Sequence, residues 1–173
     1  MKGTETMAKV INVIGQGSNV GKTVLMEGLI KELRSRGLTV ATVKHDVHGF
    51  DIDHPGKDTY RHREAGANTV VISSKNRFAM IKEVEEEIEL INILQLLKDK
   101  DIILVEGYKK SPLRKIEVYR DGVSDCIMTK EELLIAVASD VPLDLNDVSV
   151  FQSTDYIMFA DLIEKEKEFE LEK

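Results

Sequence analysis

The sequence predicts an α/β fold: three layers, with a mainly parallel sheet flanked by helices. Three observations carry the prediction. Strand and helix signals alternate from end to end of the 173 residues. The strand signals are short, continuous apolar runs, the pattern of strands covered on both faces. The first of these runs leads into a glycine-rich turn that opens a helix, an arrangement that places ligand chemistry at the carboxyl ends of the strands.

"KVINVI" (9–14) is apolar, β-branched and followed by glycines, and reads as a buried strand. Leu25, Leu29 and Leu33, with Met26 and Ile30 beside them, recur at helical spacing until Gly37 stops the helix. "LTVATV" (38–43) is the second strand. "PGKDTYRHREAGA" (55–67) has the proline start and small-residue end of a short helix. "TVVIS" (69–73) reads as a strand with "FAMIK" (78–82) as its hairpin partner. Ile88, Ile91, Leu94 and Leu97 stripe a helix within 88–100, and "IILVEG" (102–107) is four apolar residues ending on an acid. "KIEVYR", "LIAVAS" and "VSVF" complete the strands, and a last helix lies around "MFADLIEKEKEF".

The length suits one domain, drawn here over 9–165, with an N-terminal tail at 1–8 and a charged C-terminal tail at 166–173. Apolar residues at 42% and charged residues at 32% belong to a water-soluble globular chain with no membrane span. "MKGTETMAK" lacks the apolar core of a secretory signal, and the lone Cys126 has no partner for an internal disulfide, so a cytoplasmic setting is expected. The net charge of −7 argues against a nucleic-acid binder. Acidity concentrates in 83–89 and 164–173, read as solvated helix surface and a fraying end, whereas 44–77 is rich in His, Lys and Arg. A locally basic site on an acidic body suits a phosphorylated ligand.

The turn "GQGSNVGKT" has the context of a phosphate-binding loop, or P-loop: strand, glycines, Gly-Lys-Thr, then an amphipathic helix. Backbone N–H groups of Gln16, Gly17, Ser18, Asn19, Val20, Gly21 and Lys22, with the helix N-terminus, are placed to wrap phosphate oxygens. Lys22 would face the β- and γ-phosphates and Thr23 would offer a hydroxyl to Mg²⁺. Counting back five places from Gly21 reaches Gln16, where GxxxxGK[ST] has its first glycine; Gly15 and Gly17 flank it instead. Glu106, leaving the end of an apolar strand, stands where a Walker B acid belongs and is a second candidate for the metal.

The least ordinary stretch is "VKHDVHGFDIDHPGKDTYRHREAGA" (43–67), which holds all four histidines, His45, His48, His54 and His62. Their spacings match no zinc pattern. A solvated polar loop and a ligand-gripping loop both fit; in the second reading Asp46 orients water or Mg²⁺, while Lys44, Lys57 and Arg61 contact a second anionic group. "GYKKSPLRKIEVYR" (107–120) is either a basic surface hairpin or a docking surface for an anion. "DVPLDLND" (140–147) is a connector or a base-reading loop.

Four blocks in order, "GSNVGKT", "VKHDVHGFDIDHPGKDTYRHREAGA", "ILVEGYK" with "KIEVYR", and "LIAVASDVPLDLND", resemble the MobB family, the molybdopterin-guanine dinucleotide biosynthesis adapters. They run from about 9 to 165, and "DIDHPGKDTYRHREAGA" is the distinctive one. The resemblance implies a P-loop NTPase fold and a GTP-binding, weakly GTP-hydrolysing homodimer. It further implies Mg²⁺ as cofactor, with Lys22 and Asp46 in the catalytic roles and Thr23, Asp46 and Glu106 on the metal. The partners it implies are a MobA-type guanylyltransferase, a molybdenum insertion enzyme and the molybdopterin intermediate. No NKxD guanine-reading motif occurs, the nearest string being "TKEE" (129–132), so the preference for GTP rests on the resemblance alone.

An alternative is an ATP-dependent ligase of the dethiobiotin synthetase type, whose GxxxxxGKT spacing Gly15 and Gly21 reproduce. A partitioning-type ATPase is disfavoured, because Gly17 occupies the position of its signature lysine.

Overall fold

The computed structural model describes residues 8–170. The tail read at 1–8 therefore lies outside the described residues except for Ala8, as does the end of the C-terminal tail at 171–173. Among the described residues no helix is long and apolar enough to cross a membrane.

The chain divides into two compact units, residues 1–45 with 93–173, and residues 46–92. The first unit carries a six-stranded sheet. Its strands are β1 (Lys9–Gly15), β2 (Val40–Lys44), β5 (Ile102–Glu106), β6 (Arg114–Tyr119), β7 (Leu134–Ser139) and β8 (Ser149–Phe151). They lie in the order β2-β5-β1-β6-β7-β8, and every pairing is parallel. The mainly parallel sheet expected from continuous apolar strands is thus present. β1 is buried along its length apart from Lys9, as a central strand between β5 and β6 must be.

Helices α1 (Lys22–Ser35) and α4 (Tyr156–Lys165) pack together on one face of this sheet. The alternation of β1 puts Ile11 and Val13 on that face, against Leu25, Leu29 and Leu33 of α1 and Phe159, Ala160 and Ile163 of α4. Gly37, at φ 85°, ends α1 as its glycine stop predicts: its N–H bonds Arg34 O and the next N–H, of Leu38, bonds Leu33 O, closing the last turn. The Arg36 guanidinium ties the helices together, donating to Glu32, Asp161 and Glu164.

Gly28 sits mid-helix because Tyr156 lies over it; an added Cβ would stand 2.0 Å from the Tyr156 ring. Gly28→Ala is therefore expected to destabilise by about 1–3 kcal/mol, overpacking outweighing the roughly 1 kcal/mol gain in helix propensity. A denaturant midpoint raised by the substitution would contradict the packing described.

The other face carries Val10, Asn12 and Ile14 of β1. Over it passes an unusually short link. β5 and β6 are parallel and flank β1, yet residues 107–113 alone join them, where a helical crossover of a dozen or more residues is usual. Buried polar groups take the place of a helix. Asn12, fully buried, donates through Nδ2 to Tyr108 O (3.1 Å) and Ser111 Oγ (3.0 Å). Lys115, also buried, donates through Nζ to Ser111 O and Leu113 O. Glu117 on the same strand accepts from the Met128 and Thr129 N–H groups, both at 2.8 Å, anchoring the loop that follows β6. The described part of the charged C-terminal segment is also held, by Glu166 pairing with Arg114 and by the Phe169 N–H donating to Ala8 O. Its reading as a fraying end does not apply there.

The second unit contains α2 (Asp58–Glu64) and an antiparallel hairpin of β3 (Thr69–Ser74) and β4 (Arg77–Lys82), as its patterning predicts. Helix α3 (Leu90–Leu96) is shorter than the 88–100 stripe and turns out of helix after Leu96; its Leu94 is buried.

Candidate nucleotide site

The P-loop runs from the end of β1 into α1. Gly15 is required by packing: a Cβ there would meet Val20 Cγ2 at 2.7 Å and Val118 O at 3.0 Å. Asn19 at φ 62° and Gly21 at φ 106° are left-handed, so the backbone turns tightly before the helix. The first N–H groups of α1, from Lys22 onward, have no carbonyl a turn earlier to bond and carry the positive end of the helix dipole. Val20 is buried, so its side chain serves the core and only its backbone faces the loop; Ser18, Asn19 and Thr23 are exposed. This donor set suits phosphate oxygens.

Lys22 lies across the loop, its Nζ donating to Gly17 O at 2.6 Å. Burial pushes its pKa below the ordinary lysine range; Glu106 opposes that shift, and Lys109 and Lys44 add to it. Glu106 closes β5 half-buried, in register with Val13 of β1 and Lys44 of β2. Glu106 thus ends the strand beside the P-loop strand. Thr23 and Glu106 offer oxygen ligands of the kind Mg²⁺ takes, one or two from protein with phosphate and water completing its shell.

Gln16, the departure from the P-loop pattern, has a structural task. Its amide exchanges two hydrogen bonds with Asp125: Nε2 donates to Oδ2 (2.7 Å), and Oε1 accepts from the Asp125 N–H (2.6 Å). A glycine there would release the loop after β6. The Gln16 carbonyl accepts from Lys109 Nζ at 3.0 Å. Sequence reasoning placed Lys109 only in a basic run. The signal available was the brevity of 107–113, which forces that run past the carboxyl end of the P-loop strand.

Asp46 and Lys57 belong to the second unit. Asp46 Oδ1 accepts from the His48 N–H (2.9 Å), and Lys57 precedes the first turn of α2. The distinctive block is internally tied. Arg63 pairs with Asp51 (3.0 Å) and Asp53 (3.7 Å), and Asp53 Oδ1 accepts from Thr59 Oγ1 and the His54 N–H. Its charged residues hold the 51–57 loop to α2. His45, in the first unit, stacks on Tyr108 with centroids 4.3 Å apart. Among the described residues no group of three or more His, Cys, Asp or Glu is placed to hold a metal ion.

Residues 10–140 match the family model described as MobB, molybdopterin guanine dinucleotide synthesis protein B. The chain belongs to the MobB family. It is 41% identical over 157 residues to the molybdopterin-guanine dinucleotide biosynthesis adapter protein of Escherichia coli (strain K12), covering 84% of this chain and 86% of that one. The corresponding Haemophilus influenzae adapter is 34% identical, with 85% and 83% covered. Among solved structures, a molybdopterin-guanine biosynthesis protein B aligns with a TM-score of 0.68 at 27% identity, covering 89% of this chain and 97% of that one. Bacillus subtilis MobB shares the fold at 0.70 and 23% identity, with 94% and 99% covered. The P-loop α/β architecture is thus the one MobB proteins have.

Proposed function

We propose that this MobB protein is a GTP-binding, weakly hydrolysing adapter that assists a MobA-type guanylyltransferase in making molybdopterin guanine dinucleotide. The observation that carries the reading is the P-loop itself: Lys22, the opening turn of α1 and Glu106 of the neighbouring strand converge on one strand end. Family membership supports the adapter role. In this reading the loop from Gln16 to Thr23 holds the phosphates, and Thr23 and Glu106 hold Mg²⁺. Asp46 keeps its assignment as a metal or water contact, and Lys57 as an anion contact. Slow turnover is the rate that the family resemblance implies.

The chain acts as a homodimer and meets the molybdopterin intermediate and a molybdenum insertion enzyme through its partner. Self-association is supported by the hairpin, where the register sets exposed Val71, Met80 and Phe78 on one face.

Competition for labelled GTP in Mg²⁺ tests the nucleotide, and hydrolysis with and without the guanylyltransferase tests the adapter role. GTP is expected to compete well and ATP poorly, with slow hydrolysis. Displacement by ATP at equal concentration, or brisk turnover of a small metabolite without any partner protein, would overturn the reading in favour of a ligase.

A further inference from the structure

We propose that Lys109 is a second phosphate-binding cation of the P-loop, contacting the terminal phosphate of the bound nucleoside triphosphate from the loop that crosses β1. The inference rests on the nucleotide reading above and assigns a residue that the P-loop motif does not contain.

The crossing loop is built rigidly around this lysine. Gly107 has φ 92°, and an added Cβ would meet His45 Cβ at 3.0 Å. Tyr108 has φ 45°, a left-handed backbone that a bulky residue adopts only when its surroundings impose it. Those surroundings are visible: the ring stacks on His45, the carbonyl accepts from buried Asn12, and the Ser111 N–H closes a turn back to the same carbonyl. Asn12 and Lys115 also fasten Ser111, and Lys115 fastens Leu113. Lys109 is thus the exposed tip of a loop held from both sides.

Its ammonium points at the phosphate cradle. Lys109 Nζ donates to the Gln16 carbonyl and Lys22 Nζ to the next carbonyl, that of Gly17. A phosphate oxygen is a stronger acceptor for an ammonium than either neutral carbonyl, because both partners are then charged. Lys22 also feels Lys44 and Lys109 as like charges and Glu106 as an opposing carboxylate. Lysines gathered at one strand end, on a chain of net charge −7, favour an anion there. Lys22 enters from the helix side and Lys109 from the crossing loop, so the two ammonium groups reach adjacent carbonyls of the P-loop from different elements.

The test compares a non-hydrolysable GTP analogue with GDP, both with Mg²⁺, on the full-length protein and its K109M and K109R variants. K109M is expected to lose roughly 10- to 100-fold in affinity for the triphosphate, the size of one hydrogen bond between charged groups, while GDP affinity stays within about twofold. K109R should retain most triphosphate binding. Equal losses for GDP and the triphosphate would make Lys109 only a brace on the Gln16 carbonyl, and no loss for either would remove its role; both outcomes overturn the proposal. Wild-type protein that binds neither nucleotide overturns the nucleotide reading itself, and is distinguished by failing before any variant is compared.

Discussion

Lys22→Ala is expected to lower nucleotide affinity by about 2–5 kcal/mol, roughly 30- to several-thousand-fold, in titrations with a non-hydrolysable GTP analogue. The ammonium is the charge at the centre of the loop, and its removal leaves bound phosphate oxygens facing a partly buried site without their cation. Stability should respond oppositely. Burial lowers the Lys22 pKa from 10.5, so the folded state binds this proton less readily than the unfolded chain. Stability linked to the group therefore rises as pH climbs from the lowered value toward 10.5 and then levels off. At neutral pH the alanine variant should melt no lower than the wild type, apart from the lost bond to Gly17 O. Affinity retained within about threefold, a change of under 1 kcal/mol, would remove the premise that this loop binds phosphate.

Phe159→Ala carries the largest expected cost in stability, about 3–5 kcal/mol. Phe159 is fully buried among Leu25, Leu29 and Leu33 of α1 and the sheet residues beneath, and meets Phe151 edge-on with centroids 5.3 Å apart. It anchors α4 to α1, and α1 begins at the P-loop. For a chain of this size the thermal midpoint should fall by about 6–20 °C. A loss below about 1 kcal/mol would mean that α4 is not docked as described.

The sequence made local chemistry legible. A strand, a glycine turn and Gly-Lys-Thr announce a tight loop opening a helix because their neighbours in space are neighbours in the chain. Glu106 was legible as the acid ending an apolar strand, though Val13, beside it in the sheet, is far away in the chain. The charged residues of "KIEVYR" were not. Lys115 and Glu117 alternate with apolar residues like a half-exposed strand, yet both are buried, because carbonyls of the loop before β6 and amides of the loop after it satisfy them. Gln16 read as a flaw in the motif; its partner, Asp125, lies in another loop. The block from 51 to 67 was recognisable as a family signature, whereas the Asp51, Asp53 and Arg63 lattice within it needed coordinates. The four histidines offered no useful spacing, and His45 found its partner, Tyr108, in the turn that follows the neighbouring strand β5.

The strand order also sets a timetable for synthesis. β1 is made first among the strands yet lies between β5 and β6, whose residues follow long after Gly15. At about 5–20 residues per second, roughly 4–17 s pass between completing β1 and beginning β5. For much of that interval an apolar strand with two unpaired edges, and the apolar stripe of α1 behind it, waits outside the ribosome without the sheet that will cover them. Chaperone engagement in the cell should therefore concentrate on residues 9–35 and end as β6 emerges, so the glycine-rich loop is the segment guarded longest during the protein's birth.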